Sequence, residues 1–230
     1  MLKYLKNYFT KIEKILWCSS VALIVISFFV FGGGSILTLA ASLIGVTSLI
    51  FGAKGNPLGQ LLIILFSVLY GIISFSSRYY GEMITYLGMT APMAVFALIS
   101  WLKNPYNGNK SEVEIRRLKK NEIPVIVLLT AAVTVIFYFI LKAFGTSNLL
   151  PSTISVTTSF AAVYLSLKRS AYFAAAYAAN DIVLIVLWVL SAIEDISYLS
   201  VVICFIVFLV NDIYGFINWH KMRKRQENSK

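Results

Sequence analysis

Eight stretches of this chain are apolar for long enough to cross a lipid bilayer, and no segment between them is long enough to make a water-soluble domain. A helix needs about 20 apolar residues to cross roughly 30 Å of hydrocarbon. Its backbone groups are then satisfied within the segment, as they must be where no water is available. The stretches fall near 15–31, 35–52, 58–76, 82–102, 122–143, 151–167, 172–192 and 198–218. Turn-forming residues separate them: Gly32-Gly33-Gly34, Gly55-Asn56-Pro57, Tyr80-Gly81, Gly145-Thr146-Ser147-Asn148 and Pro151. None shows the polar–apolar alternation of a membrane barrel strand. Of the 230 residues, 59% are hydrophobic and 13% charged, whereas soluble domains carry about 25% charged residues. The longest polar stretch runs only from Lys103 to Asn121. The fold class is therefore an all-α integral membrane protein with eight transmembrane helices.

Charge sets the orientation. With the N-terminus inside, eighteen Lys and Arg residues fall on the inner side, among them Lys3, Lys6, Lys103, Arg116 and Lys230. Only Arg78 and Lys142 fall outside. Basic residues favour the cytoplasmic side, so both termini are expected in the cytoplasm of a bacterium, with the chain in its inner membrane. The +10 net charge then reports topology and membrane lipid as a partner, not nucleic acid. The first stretch follows a Lys-rich start and reads as a retained span rather than a cleaved signal. Cys18 and Cys204 sit in apolar runs, and with one His in the chain no metal-ligand set or cofactor is expected. In the polar loop, Ser111 and Glu114 have the spacing of a capping box. It predicts a short surface helix through Ile115 and Leu118, resting on anionic lipid.

Polar residues inside a span are costly and call for a reason. Two doublets stand out, Asn180-Asp181 and Asn211-Asp212. At 1.5 Å per residue Asp181 lies about 13 Å, and Asp212 about 10 Å, from the same membrane face on consecutive antiparallel helices. Helical phase puts Tyr177, Asp181 and Trp188 on one face, and Asn211, Tyr214 and Asn218 on another. Such a wall of amides, carboxylates and aromatic rings suits a flat, polar, cationic ring. These eight residues are the candidate substrate-binding set, although Asn and Asp also serve as glue between helices. Trp17, Trp101 and Trp219 are read as anchors at the membrane interface.

The segments ending Ile99-Ser100-Trp101-Leu102-Lys103 and Ile217-Asn218-Trp219-His220-Lys221 end alike. Residues 35–102 and 151–219 then form two three-helix bundles running in the same direction. The first is followed by a cytoplasmic loop, 103–121, and by a linking transmembrane helix within 122–150. Residues 1–34 supply a cytoplasmic start and an extra helix, and 220–230 a basic cytoplasmic tail. Parallel repeats about an axis along the membrane normal are a plan used by carriers, with the site between the halves.

Gly81-Glu82-Met83-Ile84-Thr85, then Ala91-Pro92-Met93 and Trp101, then Asn211-Asp212-Ile213-Tyr214-Gly215-Phe216-Ile217-Asn218-Trp219, resemble the PnuC family of nicotinamide riboside transporters. The similarity runs from about residue 35 to residue 225. It implies a SWEET-like 3+1+3 core with substrate near the middle of the pore. It also implies facilitated diffusion of nicotinamide riboside, trapped inside by phosphorylation. Where the family often carries Gln after the Pro-Met pair, this chain has Ala94. Carriers for thiamine, another cationic vitamin, are close to the family and give the alternative substrate. A homo-oligomer is compatible with the sequence. Two other classes stay open: an intramembrane enzyme using Asp181 and Asp212 as an aspartyl dyad, and a membrane assembly or sensor protein. No P-loop or serine-hydrolase motif supports catalysis.

Overall fold

Thr10 opens the first helix with a complete capping box: the Glu13 amide donates to Thr10 Oγ1 (3.2 Å), and the Thr10 amide to Glu13 Oε2 (2.7 Å). That helix is α1, Lys11–Val30. The chain continues through α2 (Ile36–Ala53), α3 (Pro57–Ser76) and α4 (Tyr80–Lys103), then a small hairpin of β1 (Pro105–Tyr106) and β2 (Asn109–Val113). Next come α5 (Glu122–Ala143), α6 (Leu149–Leu167), α7 (Phe173–Glu194) and, after one 3-10 turn, α8 (Leu199–Asn228). This computed structural model describes residues 8–32, 35–76, 80–146 and 148–229. Lys3, Lys6, Gly33, Gly34, Arg78, Ser147 and Lys230, which figured in the sequence argument, lie outside the described residues. Among the described residues eight helices have the length and hydropathy to cross a membrane, and the chain is a multi-pass membrane protein.

Packing follows side-chain size. α2 and α3 approach closely because Gly59 faces Gly52: a Cβ on Gly59 would lie 2.6 Å from the Gly52 amide nitrogen. Small residues permit such contact where lipid gives no hydrophobic drive for helices to associate. α6 carries many hydroxyls, and Thr153 and Thr157 satisfy theirs by donating to the carbonyls of Leu149 and Thr153. α5 behaves differently. Leu141 is its one buried residue, and the helix rests mainly on α6 with most of its surface outward.

α4 is not uniform. A π-helical stretch, Thr85–Thr90, interrupts it just before Pro92. Proline lacks an N–H and its ring collides with the carbonyl four residues back in a regular helix. A widened turn removes that conflict, and such bulges recur at functional sites. The bulge re-phases the helix, so that Tyr86, Met89 and Thr90 are all buried.

The loop after α4 corrects one expectation. Ser111 and Glu114 do not start a helix: Ser111 lies in β2, and the Ser111 amide donates to Asn109 Oδ1. The reason lies in Asn107-Gly108, both with positive φ (47° and 75°). That pair forms the tight turn that joins antiparallel strands most readily. The hairpin packs against the ends of the helices. The Val113 amide donates to the Gly55 carbonyl and the Arg116 amide to the Arg169 carbonyl. Gln226 fastens the strand from α8, donating to the Val113 carbonyl and accepting from the Ile115 amide. The basic tail is thus helical as far as Asn228. At 30 residues α8 is about 45 Å long, against roughly 30 Å of hydrocarbon, so its last turns project beyond the membrane. The side of the protein carrying these contacts is the hairpin face, and the opposite side the far face.

Candidate functional site

α7 and α8 pack along much of their length, and their polar residues meet near mid-span. Asn180 turns its oxygen toward α6, accepting from Thr158 Oγ1 (2.8 Å) and Ser159 Oγ (3.0 Å). With the oxygen satisfied, the amide NH2 is left for the space between the helices. Asp181 and Asp212 meet there across the α7–α8 contact. One turn before Asp181, Tyr177 reaches the same space.

That space is a cavity of about 50 Å³ lined by Tyr177, Asn180, Asp181 and Asp212 on one side, and by residues of α2, α3 and α4 on the other. Four of its lining polar groups are buried without a hydrogen-bond partner: Ser67 Oγ, Thr90 Oγ1, Tyr177 Oη and Asp181 Oδ2. Unpaired polar atoms in an interior are rare, because each costs about 1–3 kcal/mol. Four converging on one cavity make a site prepared for a polar guest. Among the described residues two carboxyl groups, and no Lys, Arg or His, line the cavity. Its volume is far below the ~300 Å³ of a small-molecule pocket. The helices are therefore drawn together around the site, and admitting a vitamin-sized ligand requires them to part.

The other candidates lie elsewhere. Trp188 lines a second cavity nearer the far face. Asn211 points away from Asp212, as the 100° step between neighbours on a helix requires. Its amide donates to Ser20 Oγ of α1 (2.9 Å) and to the Val207 carbonyl. The Tyr214 hydroxyl donates to Glu13 (2.9 Å), which also binds Lys54 (3.1 Å). Asn218 donates to the Ala53 carbonyl (2.8 Å). The three are thus engaged with α1 and with the end of α2. Ser48, Ser67, Tyr86 and Thr90 contribute to the cavity from the first half of the chain. Sequence reasoning missed them: isolated hydroxyls in apolar helices are common, and the bulge that turns Tyr86 and Thr90 inward is signalled only by Pro92.

Trp101 and Trp219 are not interface anchors: both indoles have no exposed surface. Trp219 Nε1 donates to the Gly52 carbonyl and Trp101 Nε1 to the Ser166 carbonyl. The preceding residues repeat the pattern, Asn218 donating to Ala53 O and Ser100 to Leu167 O. α4 thus grips the end of α6 and α8 the end of α2, and the two indoles meet with centroids 5.2 Å apart. This reciprocal clasp shuts the hairpin face beneath the cavity. Trp17, by contrast, is partly exposed and donates to Thr47 Oγ1.

A family model described as nicotinamide mononucleotide transporter matches residues 35–221. The nicotinamide riboside transporter PnuC of Neisseria mucosa is 26% identical over 201 residues, covering 86% of this chain and 76% of that protein. The protein of the same name from Haemophilus influenzae is 23% identical over 190 residues, covering 82% and 81%. A crystal structure of the vitamin B3 transporter PnuC superposes with a TM-score of 0.81 at 23% identity, over 95% of this chain and 94% of that one. The fold is shared almost end to end.

Proposed function

This chain belongs to the nicotinamide mononucleotide transporter family, and from that premise we propose that it takes up nicotinamide riboside by facilitated diffusion. The observation that carries the choice of substrate is the central cavity. Two carboxyl groups line it, an amide offers N–H donors, and no basic residue among those described faces it. The riboside is a monovalent cation with a carboxamide and a polyol. The mononucleotide adds a phosphate, whose negative charge would meet Asp181 and Asp212 in a medium of low dielectric. The acidic lining therefore selects the riboside over its phosphorylated product. That selection supports trapping: once phosphorylated in the cytoplasm, the molecule no longer fits the carrier. No nucleotide-binding motif offers another energy source.

The distribution of basic residues supports a cytoplasmic hairpin face. A cysteine at 110 should then resist an impermeant thiol reagent added to intact cells, and one at 196 should react. The two repeats, 35–102 and 151–219, act as the moving halves about the central cavity, with α5 as linker and α1 as an addition. The test of function is calorimetry of the purified protein with nicotinamide riboside, nicotinamide mononucleotide and thiamine, alongside counterflow in proteoliposomes without nucleotide. Binding of the riboside alone, with uptake stopping at equal concentrations, is the expected result. Binding of thiamine in its place would move the protein to the other cationic vitamin. Concentrative uptake would end the diffusion model.

A further inference from the structure

The second cavity, about 110 Å³, is the larger of the two and lies toward the far face. Its floor and walls are aromatic: Phe66, Tyr70, Trp188, Tyr198 and Phe205 line it, together with several serine and threonine hydroxyls. Phe66 and Phe205 line both cavities. The partition they make is a continuous lattice of rings. Phe66 lies 5.5 Å from Tyr70 and 5.9 Å from Tyr86, Tyr70 lies 4.5 Å from Tyr86, and Phe205 lies 6.4 Å from Tyr70. Trp188 sits on the other wall, 5.3 Å from Tyr198. Behind the lattice is a group that the central site does not use. Glu82, four residues before Tyr86 on α4, is 6% exposed and its Oε2 has no partner. Among the described residues no Lys, Arg or His lines this cavity either.

A cavity walled by aromatic rings with a buried carboxyl behind them attracts a flat cation, since the ring faces are electron-rich and the carboxyl adds to their pull. Resting on the proposed function for the class of ligand, we infer that the far-face cavity is a second subsite. It takes the aromatic cation first, its ring held against Trp188, while Phe66 and Phe205 stay closed between it and the central site. The two subsites recognise different parts of the molecule. The outer one reads the charged ring, and the central one, with its amide, carboxyls and hydroxyls, reads the whole riboside.

Titration of the purified protein, followed by both tryptophan fluorescence and calorimetry, separates the two. The probes are nicotinamide riboside and 1-methylnicotinamide, which keeps the cationic ring and lacks the sugar. Wild-type protein should show saturable quenching with both probes, and Trp188→Phe should lose most of it. Asp181→Asn and Asp212→Asn should weaken the calorimetric affinity for the riboside at least tenfold while the quenching by 1-methylnicotinamide keeps its midpoint. Glu82→Gln should raise that midpoint and leave quenching amplitude intact. Riboside binding by calorimetry with no Trp188-dependent quenching would overturn the outer subsite alone. So would loss of quenching in step with central affinity in the aspartate variants, which would mean a single site. Absence of binding to wild-type protein by either method would overturn both the subsite and the proposed function.

Discussion

Asn180 allows the roles of helix glue and ligand contact to be separated. Its oxygen holds two α6 hydroxyls, Thr158 and Ser159, while its amide is left toward the cavity. In Asn180→Ala, Thr158 falls back on the Ile154 carbonyl, which it already approaches at 3.0 Å. Ser155 then loses a long contact of 3.5 Å, and Ser159 is left without its acceptor. Orphaning it costs about 1–3 kcal/mol of stability. Loss of the amide also leaves a ligand carboxamide unpaired, about 1–3 kcal/mol again, or roughly tenfold to a hundredfold in affinity. Thr158→Val is the control. It removes the 2.8 Å bond to Asn180 and keeps the amide, so it should cost about 1 kcal/mol of stability and leave affinity near that of wild type. Thermal unfolding in detergent and calorimetry with nicotinamide riboside read the two quantities side by side. If both variants weaken binding equally, Asn180 acts through the packing of α6 on α7. If neither does, the amide does not touch the ligand.

Trp101→Phe and Trp219→Phe each delete one indole-to-carbonyl hydrogen bond, worth about 1 kcal/mol, from equivalent places in the clasp. Counterflow rates in proteoliposomes should therefore shift in the same direction in both, and opposite shifts would break the equivalence. Gly59→Ala forces a methyl group to within 2.6 Å of the Gly52 backbone, which cannot swing aside, so overpacking of about 1–3 kcal/mol is expected. Gly88→Ala, whose nearest contact would be 3.9 Å, is its comparison. Similar melting temperatures for the two variants would refute the close approach of α2 and α3.

The spans were legible because a bilayer imposes one length and one polarity on every crossing. The observed helices depart from the expected limits by a few residues, except where α1 starts earlier and α8 runs on past the membrane. Asp181 and Asp212 were legible as a pair because depth follows from counting residues along two antiparallel helices. Which way each neighbour faces was not. Asn211 sits one residue from Asp212, yet it serves α1, and nothing in the local pattern says that Ser20 stands opposite. The hairpin was written in Asn107-Gly108, but the capping-box spacing of Ser111 and Glu114 offered a competing local signal. The contribution of Ser67 and Thr90 depended on how distant helices pack, which hydropathy does not encode. Trp101 and Trp219 fitted an interfacial belt by position, whereas their indole N–H groups are committed to carbonyls at the ends of α6 and α2.

The clasp also sets the order in which the chain can be completed. Trp101 emerges 65 residues before the carbonyl it will hold, and the Gly52 carbonyl waits 167 residues for Trp219. During synthesis residues 35–102 enter the bilayer with a helix end uncapped and an indole uncommitted; α6 relieves the indole, and only the final helix relieves the helix end. A chain released early would carry these loose ends in the membrane. They are features by which a membrane protease could tell an unfinished carrier from a finished one.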